Sequence, residues 1–272
     1  MTAQIQQLTP ELTLERINEI PVLTLNHSVG SARIALQGAQ LLNWKPKGAE
    51  QDVFWLSDIE PFTQGVAIRG GVPLCYPWFG GVKQPSHGTA RLRLWQLSDY
   101  DLQANKVRLE FSLFSEYGVI EAKMKMEFTD KCTMTLTHLG QELAQAALHS
   151  YFNIGDISKI EVQNLPSRCY DSLQGKHTDV PSTRKIEQGV DCIYTLEEDK
   201  TFLVDKAFNR RIQITHYYAD SIVLWNPWDK TPSAMKADGY RNMVCIETAR
   251  LERLLQFGES ISAEITALPA DI

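Results

Sequence analysis

The chain has 272 residues, enough for two small domains or one large β domain with a sizeable core. Its 27 basic and 33 acidic side chains give a formal charge of −6, so no overall basic field is available to a polyanion, and nucleic acid is excluded as a partner. The opening residues lack a basic segment followed by an apolar run, and no later apolar stretch approaches a membrane span, so a cytoplasmic protein with no membrane partner is expected.

Short apolar or alternating runs at 22–26, 32–36 and 41–44 are separated by Gly30, Gly38 and a Lys45-Pro46-Lys47-Gly48 turn, which predicts three strands. Residues 52–56 predict another. Residues 69–91, RGGVPLCYPWFGGVKQPSHGTAR, hold five glycines and three prolines beside Tyr76, Trp78 and Phe79. That density of turn formers predicts a long loop whose backbone can approach a ligand and whose aromatic rings can wall a sugar. Val107, Leu109, Phe111 and Leu113 then alternate with polar residues, as do Ala122, Met124, Met126 and Phe128, so both segments are strands with one wet face. Further strands are predicted at 134–138, 146–154, 160–164, 191–194, 201–204, 211–215, 221–225 and 243–248. A helical turn is predicted at 251–257, before Ile261, Ala263, Ile265 and Ala267 alternate again. There is no internal repeat and no linker. The fold class is therefore all-β, a large antiparallel β sandwich forming a single domain over residues 1–272, with a barrel as the nearest competitor.

Five cysteines, Cys75, Cys132, Cys169, Cys192 and Cys245, are scattered without a metal or redox spacing and read as reduced core thiols. No His-x-His or His-x-x-x-His pair suggests a metal, and neither a Gly-x-Ser-x-Gly elbow nor a nucleotide-binding glycine loop is present, so no cofactor is expected. The chemistry left is that of a histidine and a carboxylate. His149, in AALHSYFNI, shares its strand face with Ala147, Tyr151 and Asn153, where a small residue leaves room beside polar neighbours. Glu247, in MVCIETAR, is a carboxylate in an apolar strand, which is costly unless it is paired, for instance with Arg250, or used chemically. Arg69 and Arg91 bracket the glycine-rich loop and suit a phosphate or several sugar hydroxyls, although surface pairing would also explain them. His87 and Lys83 lie on the loop between them. Trp225 to Trp228 read as a tight turn capped by tryptophans, or as a second ligand wall.

Five segments together resemble the aldose 1-epimerase (mutarotase) superfamily, and within it the hexose-6-phosphate mutarotases. They are RGGVPLCYPWFG from Arg69, HGTAR from His87, HSYFNI from His149, VLWNPWDK from Val223 and ADGYRNMVCIETA from Ala237. The resemblance implies a galactose-mutarotase-like supersandwich. It also implies glucose-6-phosphate 1-epimerase activity, with His149 as general acid at the ring oxygen and Glu247 as general base at the anomeric hydroxyl. His87 would hold the sugar and Asp191 in GVDCIY would bind its hydroxyls; that Arg69, Arg91 or Lys83 meets the phosphate is inferred from their charge, not from the motifs. The partner implied is a small sugar phosphate, and a monomer is expected. Thr89 and Leu92 depart from the family pattern, which tends to an aromatic and an asparagine there. A free-aldose mutarotase and a non-catalytic carbohydrate-binding sandwich remain the alternative readings.

Overall fold

The computed structural model describes residues 5–270. The ends of the expected domain, residues 1–4 and 271–272, lie outside the described residues. Three antiparallel sheets make up the architecture. A five-stranded meander runs from Gln6–Gln7 through Leu12–Ile17, Ile20–His27 and Gly30–Ala35 to Gln40–Pro46. One eight-stranded sheet carries the strongly alternating segments: Lys106–Phe114, Ile120–Phe128 and Lys131–His138 lie side by side, and Ser260–Pro269 joins them to Arg210–Tyr217. The other holds Val190–Thr195, Ser221–Asn226 and Met243–Leu255 as neighbours, followed by Ala144–Leu148 and Leu74–Cys75.

These two large sheets face each other. Leu109, Phe111, Met124 and Ile265 from one meet Leu148, Phe152, Leu224 and Ile246 from the other in one continuous apolar cluster. The period-two pattern dictates this arrangement, because each strand can commit only alternate side chains to one interface. The all-β, antiparallel sandwich expected from the sequence is thus observed. Among the described residues no helix is long and apolar enough to cross a membrane.

Three local expectations differ. Residues 52–56 form isolated bridges, Phe54 with Phe152 and Leu56 with Gly70, in place of a strand. The expected helical turn at 251–257 is mostly a continuation of Met243–Leu255, because the Asp220 carboxylate accepts bonds from the amides of Leu251, Glu252 and Arg253 and holds the chain extended. The segment expected as one strand at 146–154 is two, Ala144–Leu148 and Tyr151–Asn153, and the interruption falls at His149. There the Ser150 amide turns to Leu148 O at 2.9 Å, while the His149 amide bonds to Pro73 O at 3.0 Å.

The interruption does not shift the register. Leu148 lies opposite Thr248 before it and Tyr151 lies opposite Cys245 after it, so His149 falls opposite Glu247. On the next strand Val223 is paired with Glu247 and Trp225 with Cys245. Beyond that, Asp191 is paired with Trp225. Cross-strand partners share a face, so Ala147, His149, Tyr151, Cys245, Glu247, Trp225 and Asp191 all project from the side away from the sandwich core. The site is laid out by this arithmetic.

Candidate active site

The outward face is itself covered. Glu247 is only 2% exposed and His149 8%. Two apolar clusters border them: Cys75, Ala147, Val223 and Ala249 on one side, and Tyr151, Met235, Met243 and Cys245 on the other. His149 Nε2 lies 3.3 Å from Glu247 Oε1. His149 Nδ1, Glu247 Oε2 and Arg91 Nε are buried with no hydrogen-bond partner among the described residues. A buried polar atom left unpaired costs about 1–3 kcal/mol. Open valences on a facing histidine and carboxylate, with Arg91 acting electrostatically on both, mark a place that can take a polar ligand.

The alternative partner for Glu247, Arg250, is three residues along the same strand and therefore on the opposite face. Its guanidinium bonds to Glu259 at 2.6 Å. Glu247 is thus not neutralised by the structural ion pair that its apolar setting first suggests.

The glycine-rich loop supplies the rim. Apart from Leu74–Cys75 and a short 3-10 turn at Ala90–Leu92, residues 69–91 are irregular. His87 adopts a φ of 64° and is followed by Gly88, where any Cβ would come within 2.1 Å of Tyr76 O. Glycine there lets the returning chain lie against Tyr76, whose amide bonds to His87 O at 3.2 Å. The Gly80 amide donates to His87 Nδ1 at 3.2 Å, so the neutral ring carries its proton on Nε2. The His87 ring centroid is 5.8 Å from that of His149, edge to face.

Both arginines are held by the protein. Arg91 Nη2 donates to Ser86 O at 2.8 Å. Arg69 donates from Nη1 to the Tyr151 hydroxyl at 2.9 Å and from Nε to Ser233 O at 3.0 Å, while its amide donates to Glu60 Oε2. Asp191 lies on the other side of Trp225, at the edge of a cavity of about 570 Å³ that also meets Asp171, Gln174, Asp229 and Lys230. A larger open groove, about 1410 Å³, runs among the strand-end turns around residues 46–51 and 207–210 and does not include the His149–Glu247 pair. A histidine and a carboxylate in contact, each with an open valence, rather than volume, distinguish the candidate site.

Electrostatics divides the site. Burial pushes the Glu247 carboxyl well above the usual carboxylate range, and Asp191 adds to that, against the pull of Arg91. Burial pushes His149 well below the usual imidazole range, helped by His87, Arg91 and Arg69. His87 is lowered to about 4, by burial first and then by the two arginines. Asp191 is raised, burial outweighing a hydrogen bond from Ser172. The arginine side is cationic and the Asp191 side acidic, with the histidine and glutamate between them. Both members of the pair are driven toward their neutral forms, so it holds one proton between two adjacent groups, which is the inventory a bifunctional acid–base catalyst requires.

All six residues singled out in the sequence, Arg69, His87, Arg91, His149, Asp191 and Glu247, come together here. Lys83 lies further out, with its ammonium 5.6 Å from the Trp78 ring. The sequence reading gave too little weight to Tyr151 and Trp225. The Tyr151 ring stacks on His149 at 4.9 Å and 17°, and Trp225 stands edge-on to both at 6.0 Å. Tyr151 carried a signal in its alternation with His149, but its contact with Arg69 spans 82 positions and has none. Among the described residues no group of three or more His, Cys, Asp or Glu side chains is arranged to hold a metal ion.

Known proteins share this arrangement of chain. A Haemophilus influenzae protein named "Putative glucose-6-phosphate 1-epimerase" is 55% identical over 266 residues, 97% of this chain and 98% of its own. The crystal structure of HI1317 superposes with a TM-score of 0.97 at 59% identity, covering 98% of this chain and all of that one. A Salmonella typhimurium structure described as "a putative mutarotase (YeaD)" superposes with a TM-score of 0.92 at 33% identity, covering 98% and 97% of the two chains. The family described as aldose 1-epimerase matches residues 21–267, nearly all of the described sandwich, and the chain belongs to that family.

Proposed function

We propose that the protein interconverts the α and β anomers of hexose 6-phosphates, glucose 6-phosphate foremost, with His149 and Glu247 as the acid–base pair. The carrying observation is their cross-strand contact of 3.3 Å, with one oxygen and one nitrogen left unpaired. The anomeric hydroxyl and the ring oxygen are both bonded to C1, so two groups this close can reach both at once. Glu247 as carboxylate takes the proton from the C1 hydroxyl while His149 as imidazolium protonates the ring oxygen. The C1 to ring-oxygen bond breaks and an open-chain aldehyde forms. Rotation about C1 to C2 presents the other carbonyl face, and closure reverses both transfers. His87, with its proton on Nε2, donates to a sugar oxygen near the reacting centre.

Burial favours the neutral tautomer of the pair, in which Glu247 holds the proton. A phosphate dianion arriving on the cationic side raises His149 and offsets the arginines that lower it, which favours the ionised tautomer needed for ring opening. The same polarity orients the substrate, with its phosphate toward Arg69 and Arg91 and its hydroxyls toward Asp191. The phosphate is remote from C1, so these contacts contribute binding and alignment. The names carried by the similar Haemophilus protein and the family support a sugar-phosphate substrate. A cytoplasmic, single-domain monomer accords with this role.

The test is anomer exchange, followed by NMR on freshly dissolved α-glucose 6-phosphate and on α-glucose. Exchange faster than buffer, with preference for the phosphorylated sugar, is expected. Equal acceleration of both sugars would shift the reading to a free-aldose mutarotase, and sugar binding without exchange to a non-catalytic carbohydrate-binding sandwich.

A further inference from the structure

The catalytic histidine is not gripped by hydrogen bonds. Its Nδ1 has no partner among the described residues, and its Nε2 faces the carboxylate with which it would exchange protons. Some other contact must fix the plane of the ring, because proton transfer to the ring oxygen depends on where the ring's nitrogens point. The nearest parallel surface is the phenol of Tyr151, two residues on along the same side of the sheet, whose centroid is 4.9 Å from the imidazole at an interplanar angle of 17°. Tyr151 is itself immobilised. It is 3% exposed, its ring stacks with Trp55 at 5.9 Å and 24°, and its hydroxyl accepts from Arg69 Nη1 at 2.9 Å. The backbone fixes it on both sides, since its amide donates to Gly71 O and its carbonyl accepts from Trp55 N.

We propose that Tyr151 is the positioning residue for the general acid: its ring holds the His149 imidazole in the plane that keeps Nε2 against Glu247 and fixes where the ring's nitrogens meet the sugar, and Arg69 locks that ring in place through the phenol oxygen. This rests on the acid–base reading above and adds to it a route by which the arginine at the phosphate end influences proton transfer as well as binding. An aromatic face in parallel contact also favours an imidazolium over a neutral ring, so the same contact assists the acid form that ring opening consumes. The charged and titratable groups facing His149 among the described residues are Glu247 across the strand, His87 on the rim, and Arg69 and Arg91, with Tyr151 as the only ring among them stacked on it.

Two variants separate the parts of this role. Tyr151→Phe keeps the ring and removes the Arg69 bond, and should lower kcat for glucose 6-phosphate about 5- to 10-fold, the size of one ordinary net hydrogen bond. Tyr151→Leu removes the stack, and should lower kcat about 100-fold, the size expected when a reacting group is misplaced by about an ångström. In both, KM for glucose 6-phosphate should change far less than kcat. The direct readout is the ring resonances of His149 in the intact protein, which do not depend on turnover. Loss of the aromatic neighbour should shift them in Tyr151→Leu, and release of the phenol should broaden or shift them in Tyr151→Phe. If wild-type protein exchanges no anomers, the functional reading fails while the His149 resonances still report whether Tyr151 holds the ring. If exchange is normal, and a folded Tyr151→Leu leaves kcat and the His149 resonances unchanged, the positioning role is overturned. Should Tyr151→Leu not fold, the Tyr151→Phe resonances and its split between kcat and KM decide: unchanged values refute the role, and the expected shifts support it.

Discussion

Two histidines sit on opposite faces of the strand Met243–Leu255, and their contrast separates burial from chemistry. His216 reaches across the sandwich from the facing sheet, with Nδ1 2.7 Å from Thr248 Oγ1 and Nε2 3.1 Å from Thr201 Oγ1. Burial alone lowers it to about 3. His149 lies over the adjoining residue, Glu247, on the other face, and burial likewise lowers it. By burial and by the direction of their shifts the two look alike. They differ in partners: His216 has both nitrogens satisfied by neutral hydroxyls, whereas His149 has one nitrogen unpaired and the other against a titratable carboxylate. A fully satisfied histidine ties two sheets together, while an unsatisfied one beside a second open valence can receive a ligand and move a proton.

The strongest way to break this contrast is to remove chemistry from the His149 side. Glu247→Gln and His149→Ala should each reduce anomer exchange by about 10³-fold, within the range for loss of a general acid or base. Circular dichroism should show the fold retained, and a fully active Glu247→Gln would eliminate the proposed base. Arg69→Ala and Arg91→Ala come next. At least one should raise KM for glucose 6-phosphate about 10- to 100-fold, the value of a charge-assisted contact, with a much smaller effect on glucose. Equal effects on the two sugars in both variants would argue against a phosphate site between them.

Removing His216 should do the reverse. His216→Asn leaves the outward face intact, so kcat should stay within about twofold, while unfolding in urea should show a loss of about 2–4 kcal/mol from the stranded threonines. The pH dependence has a definite sign. His216 titrates near 6.5 when unfolded but only at about 3 when folded, so between those values the unfolded chain binds more protons. Its contribution is full above the unfolded value and is lost as pH falls toward 3, by on the order of 4 kcal/mol. The variant should therefore lose less stability on acidification than the wild type, and equal slopes would contradict a neutral buried imidazole.

The smallest expected change is in the wild-type rate itself. With His149 lowered and Glu247 raised, the pair keeps one proton over a wide interval. Exchange of unphosphorylated glucose, which unlike a sugar phosphate has no group titrating at about pH 6, should accordingly be nearly flat through the interval at about pH 6.5 where a free histidine would titrate. A steep bell centred in that interval would show that the two groups titrate as separate, ordinary side chains.

The sequence by itself determined the class of fold and the chemical inventory of the site. Alternation at 107–113 and 122–128 can be satisfied only by strands with one buried face, and glycine and proline in 69–91 oppose a long helix or strand there, so both are written in local composition. The motifs around His149 and Glu247 also carried the family resemblance. Locally visible patterns do not report pairing, however. That Glu247 meets His149 depends on the register between strands about a hundred residues apart, and the alternation of one strand is silent about its neighbour's offset. The Arg69–Tyr151 contact, the two threonines around His216 and the carboxylate of Asp220 that keeps 251–255 extended are likewise long-range. Tertiary structure decided these because a side chain's partner is set by where two distant backbones are brought together, and with it whether a buried histidine has both nitrogens satisfied or keeps one open beside a carboxylate.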